Sequence, residues 1–176
     1  MPYETRLVDG GKGTLRHGSG ILTNSELLAA CLRFSNEPEE TRHIRYMLAD
    51  FSEVMELQLT PDAIHYAAEL NRRSAEISPG MFVAIVAPGP LAYGLSRMWQ
   101  MLMQDTMWKS AVFHQRAEAI HWLREQLGHG DPNAAILNEF PTLKEESREP
   151  AVALRPIVHS EKNGQPLPRS HTAHLP

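Results

Sequence analysis

Phe82-Val83-Ala84-Ile85-Val86-Ala87-Pro88-Gly89-Pro90-Leu91-Ala92-Tyr93-Gly94-Leu95-Ser96-Arg97-Met98-Trp99 is the stretch whose reading decides the fold. It begins as a short β-branched apolar run bounded by a Pro-Gly-Pro turn, which is how a buried strand reads. From Pro90 onward the period changes to that of a helix. Leu91, Leu95, Met98 and Leu102 fall on one apolar stripe, with Tyr93, Arg97 and Gln100 on another face. Gly94 inside that helix costs about 1 kcal/mol against alanine, so a close backbone contact is expected there. A strand that passes directly into a helix is the core of a βαβ-type unit.

Upstream of this unit, Tyr3 to Asp9 and Thr14 to Leu22 are short extended segments joined by Gly10-Gly11-Lys12-Gly13, a hairpin loop. Thr23-Asn24-Ser25-Glu26 offers a capping box, and Leu27, Cys31 and Phe34 continue a helix that ends near Asn36-Glu37-Pro38. A charged loop leads to a strand from Ile44 to Phe51. In Thr60-Pro61-Asp62, Thr60 caps, Pro61 suits the first helical position and Asp62 complements the positive helix end. The helix that follows carries Ala63, Ala67, Leu70, Ser74 and Ile77 on one face, small enough to lie close to a sheet, and stops at Ser78-Pro79-Gly80.

Downstream, Lys109 to Phe113 is a last short strand, and Ile120, Leu123 and Leu127 face inward from a final helix closed by Gly128. The fold class expected is α/β: a small mixed sheet of about five strands in the order β-β-α-β-α-β-α-β-α, covered by helices. This domain spans residues 1–130. A short helix is expected over 131–140. Over 141–176 six of the 13 prolines occur and no aromatic residue does, so that segment is expected to be extended or disordered. Val152 to Val158 is its one apolar patch.

The bulk properties narrow the function classes. The 176 residues suit one domain with an appended segment, and 42% hydrophobic with 22% charged residues is ordinary for a globular chain. A net charge of −4 lacks the basic footprint of a nucleic-acid binder. No run of about 18 apolar residues suggests a membrane span. The start of the chain lacks a secretory pattern, so a cytoplasmic location is expected. The single cysteine, Cys31, rules out an internal disulfide and reads as a small buried residue.

Several segments carry a family resemblance: Ala49-Asp50-Phe51-Ser52-Glu53-Val54, Phe82 to Pro88, Leu91-Ala92-Tyr93-Gly94-Leu95-Ser96-Arg97-Met98, Val112-Phe113 and Glu118-Ala119-Ile120-His121-Trp122-Leu123. Together they resemble the SpoIIAA-like group, related to STAS domains and to CRAL-TRIO lipid carriers, over roughly Tyr3 to Leu127. The resemblance implies a small α/β domain. From the STAS side it implies a regulatory module with a phosphorylatable hydroxyl at Gln58-Leu59-Thr60, where Thr60 alone supplies one. From the CRAL-TRIO side it implies a lipophilic ligand.

The candidate residues lie where helices begin at the carboxyl ends of the strands, the usual ligand edge of open α/β sheets. Thr60 is a helix cap and a phosphoacceptor candidate, since a phosphate there meets free amides and the helix dipole. Tyr93 and Arg97 are one turn apart, and the Arg97 guanidinium suits a carboxylate or phosphate. His114 ends the last strand beside Arg116. Met98, Trp99, Met101, Met103, Met107 and Trp108 cannot all face one core, which points either to core filling by some of them or to an exposed apolar patch for a dimer or ligand. His171 and His174 have no helix to align them and make no metal site. No Ser-His-Asp set, paired-carboxylate pattern, phosphate loop or dinucleotide fingerprint is present.

The expectation is a non-enzymatic, STAS-related regulatory or protein-interaction module that needs no cofactor and partners another protein or itself. The alternative is a site for a small lipophilic or anionic ligand near Thr60, Tyr93, Arg97 and His114. An enzyme with a site at the same edge comes third.

Overall fold

The computed structural model describes residues 3–128. The expected short helix over 131–140, the Pro-rich segment over 141–176, Val152 to Val158, His171 and His174 lie outside these residues. Within them the strands are β1 (Tyr3–Val8), β2 (Gly13–Thr23), β3 (Tyr46–Gln58), β4 (Phe82–Val86) and β5 (Lys109–Phe113). The helices are α1 (Asn24–Asn36), α2 (Pro38–Thr41), α3 (Pro61–Ile77), α4 (Pro90–Leu102) and α5 (Arg116–Leu127).

The five strands form one sheet in the order β1-β2-β3-β4-β5. β1 runs antiparallel to β2, and each later pair is parallel. The hairpin turn puts Asp9, Gly10 and Gly11 at positive φ, which two glycines make affordable. Gly13, at the start of β2, has a different reason. The Tyr46 ring lies over it, and a Cβ there would come within 2.2 Å of that ring.

Two caps expected from the residues form as read. Thr23 and Glu26 close a reciprocal capping box on α1, with the Glu26 carboxylate 3.0 Å from the Thr23 amide. On α3 the Thr60 hydroxyl accepts from the Ala63 amide at 3.3 Å, with Pro61 in the first turn.

Side chains alternate across the strands, so the sheet has two distinct faces. Met47, Ala49, Val83 and Ile85 point to the face covered by α1, α3 and α4, where Phe34, Ala68, Ala92 and Trp108 complete the core. Leu15, Tyr46, Leu48, Ala84 and Val86 point to the other face, closed by Ala119 and Leu123 of α5. A sheet whose parallel strands follow in sequence order carries its crossovers on one face, which leaves α5 to cover the second.

Three local expectations are corrected. β3 does not stop at Phe51 but runs on to Gln58, because β2 continues beside it in register as far as Thr23. The charged loop after α1 holds the single turn α2, started by Pro38. Of the Leu91-Leu95-Met98-Leu102 stripe of α4, Leu95, Met98 and Leu102 pack half-buried against the core and Leu91 does not. Ala92 and Ser96 are the buried residues of the helix, while Leu91 is 56% exposed. Two small side chains let the helix axis lie close to the sheet, and that rotation turns Leu91 outward. No helix among the described residues is long and apolar enough to cross a membrane.

Candidate functional site

Where β4 passes into α4, Gly89 is the helix cap in extended conformation and Pro90 occupies the first turn. The two prolines remove amide donors, so this end of α4 is a rigid turn rather than an anion cradle. One turn in, the Tyr93 ring stacks on the His114 imidazole with centroids 4.2 Å apart and planes 15° from parallel. Arg97 follows on the same side of the helix and hydrogen-bonds the Gln100 side-chain oxygen. The Gln100 amide in turn donates to the Ser110 carbonyl of β5. Lys109 and Phe113 spend their backbone groups on β4, at 2.9 Å to Met81 and 2.8 Å to Ala87, which leaves the Ser110 carbonyl on the outer edge. Gln100 therefore blunts an edge strand that would otherwise offer an open acceptor.

Thr60 belongs to a different cluster. Its amide donates to the Asn24 side-chain oxygen at 3.0 Å, and the Asn24 amide donates back to the Thr60 hydroxyl at 3.2 Å. These bonds tie the first turns of α1 and α3 together. No hydrogen bond or ring contact joins Thr60 to Tyr93, Arg97 or His114 among the described residues. The edge thus holds Tyr93, Arg97 and His114 as one group and Thr60 as another.

The apolar patch also divides. Met103 is 1% and Trp108 5% exposed, so the expectation that they lie on a surface is corrected. Trp108 fills the core edge-on to Phe34, with its indole N–H donating to the Ser78 carbonyl at 2.8 Å. Trp99 is partly buried and lines an interior cavity. Met101 and Met107 stay at the surface, 64% and 70% exposed, and Leu91 joins them. The backbone contact expected at Gly94 is absent too: a Cβ there would meet nothing within 4 Å.

Beneath α1 the structure buries a group that sequence reasoning passed over. Arg16 of β2 points to the helical face and is 3% exposed. Its Nη2 donates to the Ala30 carbonyl at a long 3.4 Å, and its guanidinium carbon lies 5.1 Å from the centre of the Phe34 ring. Nε has no acceptor, and no carboxylate among the described residues pairs with Arg16. Its acidic neighbours are neutral at ordinary pH. Burial pushes the Tyr3 hydroxyl up to about 12, with the Arg16 charge acting in the opposite direction. Burial also raises the Cys31 thiol, again opposed by Arg16 and by an Asn71 amide 3.6 Å from the sulfur. A thiol held in this way is inert rather than nucleophilic.

Arg16 separates two spaces. On one side is an apolar cavity of about 70 Å³ between the sheet, α3 and α4, which Leu27, Ile64, Leu95 and Trp99 help to line. That is well below the several hundred Å³ of a usual small-molecule pocket. On the other side is a groove of about 270 Å³ between β1, β2, α1 and α2.

The α5 face carries charges of a different kind. Asp50, fully buried, accepts from the Ser52 amide at 2.9 Å, and its second oxygen lies 3.3 Å from Arg116 at the start of α5. On the adjacent strand, His17 Nε2 is 3.3 Å from Glu53 Oε2. This brings titratable groups within hydrogen-bond reach, but neither a serine hydroxyl nor the cysteine contacts His17, and none of the cavities above opens onto it. Among the described residues no group of histidine, cysteine and carboxylate side chains could hold a metal ion.

No family model matches the chain, and neither does any curated protein. Among solved structures the chain is similar to the anti-sigma factor antagonist SpoIIAA in its unphosphorylated form. The identity is 12%, over 69% of this chain and 97% of that one, with a TM-score of 0.45. The match says nothing of activity or partner.

Thr14, Arg16 and Asp50 were legible as polar residues near strands, but nothing in their spacing marked them as buried. The one available signal was the alternation of Thr14-Leu15-Arg16-His17. It places Arg16 opposite Leu15 but cannot tell whether one face of the strand is covered or both.

Proposed function

We propose that the chain is a non-enzymatic, cytoplasmic regulatory or protein-interaction module of the STAS-related type. It associates with a second copy of itself through the outer surface of α4. The observation that carries this reading is the exposed apolar pair Leu91 and Met101, continued by Met107, on a helix whose other side is already seated. Gly94 lies between the two. Its glycine has no packing reason among the described residues, and a small residue at that place lets a second helix approach closely. An apolar patch of this kind on one helix can meet its own copy across a two-fold axis.

The test is light scattering on the full chain over a range of concentrations, with Leu91→Glu and Met101→Glu combined as the breaking variant. A dimer mass for the parent and a monomer mass for the variant, at equal melting temperature, supports the reading. A parent that stays monomeric, or a variant that still dimerises, sinks it.

Regulation in this reading falls on Thr60, whose exposed hydroxyl caps α3. A second reading takes Tyr93, Arg97 and His114 as a site for a small lipophilic or anionic ligand. What favours it is the flat Tyr93–His114 stack beside an exposed guanidinium.

A further inference from the structure

Arg16 is a buried cation that no carboxylate among the described residues answers. A guanidinium offers five N–H donors and stays charged at any ordinary pH. Burying such a cation without a counter-charge is costly. Here it meets a long hydrogen bond to the Ala30 carbonyl, an aromatic face, and hydrogen bonds to the Tyr3 hydroxyl and the Cys31 thiol, two acids that burial keeps neutral, but no carboxylate among the described residues. Two residues earlier on the same face of β2, Thr14 is 0% exposed and its hydroxyl is also without a partner. Both residues border the same groove, whose volume of about 270 Å³ lies near the lower end of small-molecule sites. Leu7, Phe34 and Ile44 give the groove an apolar wall. It reaches the surface at Arg33, whose side chain is 69% exposed.

We propose that this groove binds a small organic carboxylate, its head group held by the Arg16 guanidinium and the Thr14 hydroxyl, its apolar body laid against Leu7, Phe34 and Ile44. The planar fork of arginine matches a carboxylate in a two-point contact, and a hydroxyl beside it supplies a further donor. Arg16 is the buried cation of the groove, while Arg33 at its mouth is already paired with Glu37 at 3.5 Å. Glu37 and Glu40, which also border the groove, disfavour a doubly charged phosphate. The site stands apart from the α4 surface and does not depend on that reading.

The test is an amide NMR titration of the full chain with sodium benzoate and sodium octanoate, at constant ionic strength, against inorganic phosphate. Saturable shifts on β1, β2 and α1 with at least one carboxylate, and none with phosphate, are expected. Arg16→Gln weakens binding on the order of tenfold or more, and Thr14→Val about threefold, as loss of a charged and a neutral hydrogen bond implies. Absence of saturable shifts, equal response to phosphate, or shifts centred on Tyr93, Arg97 and His114 overturns the proposal. So does unchanged affinity in Arg16→Gln. If Arg16→Gln does not fold, the near-isosteric Thr14→Val decides, and unaltered affinity there overturns it equally.

Discussion

The two faces of the sheet bury charge on the same pair of strands in opposite ways. On the α5 face, Asp50 faces Arg116 and His17 faces Glu53. On the helical face, Arg16 has an aromatic ring, a carbonyl and two neutral acids, and no carboxylate. The Asp50 charge is answered inside the chain by Arg116 and serves its architecture. An unpaired one is a cost that folding alone does not explain. The comparison separates a structural network from a candidate site, although both look alike as polar residues on a strand.

The largest way to break this contrast is Asp50→Ala, which leaves Arg116 facing an emptied position. A loss of about 3 kcal/mol in chemical denaturation is expected, as for a broken buried pair. Arg16→Met should do the opposite on the other face. A methionine fills similar space without charge, and a gain of about 1–2 kcal/mol is expected in the same measurement. A loss as large as that of Asp50→Ala would make Arg16 part of the architecture and erase the contrast.

A pH titration of stability sharpens the environment of Arg16 further. Tyr3 is protonated more tightly folded than unfolded, with the hydroxyl pushed from 10.0 to about 12. Its stabilising contribution is complete below about pH 10 and is lost as the pH rises through 12. The loss is about 3 kcal/mol by linkage, and Tyr3→Phe should flatten it. An alkaline limb identical in Tyr3→Phe would assign the effect to other groups. Smallest is Gly94→Ala, away from both faces. With open space around Gly94, alanine should add about 0.5–1 kcal/mol to the monomer while weakening self-association.

Much of the fold could be read from local chemistry. The strand Phe82–Val86, the Thr23 and Thr60 caps and the glycine turn are each specified by residues within a few positions of one another. What was misread depended on neighbours distant in sequence. β3 runs past Phe51 because β2 is there to pair with it. α4 turns Leu91 outward because Ala92 and Ser96 seat closer to the sheet, and Trp108 is a core residue because Phe34 and Ser78 receive it.

The sequence by itself determined the order of strands and helices, where each helix starts and the αβ class, because periodicity, capping and turn preferences act over a few residues. Only the tertiary structure decided which polar residues are buried and whether a counter-charge meets them. Arg16 and His17 are adjacent in the chain, yet one faces neutral partners under α1 and the other a carboxylate on β3. Alternation along a strand assigns them to opposite faces, but what covers each face comes from segments far away, and burial and pairing are properties of those contacts.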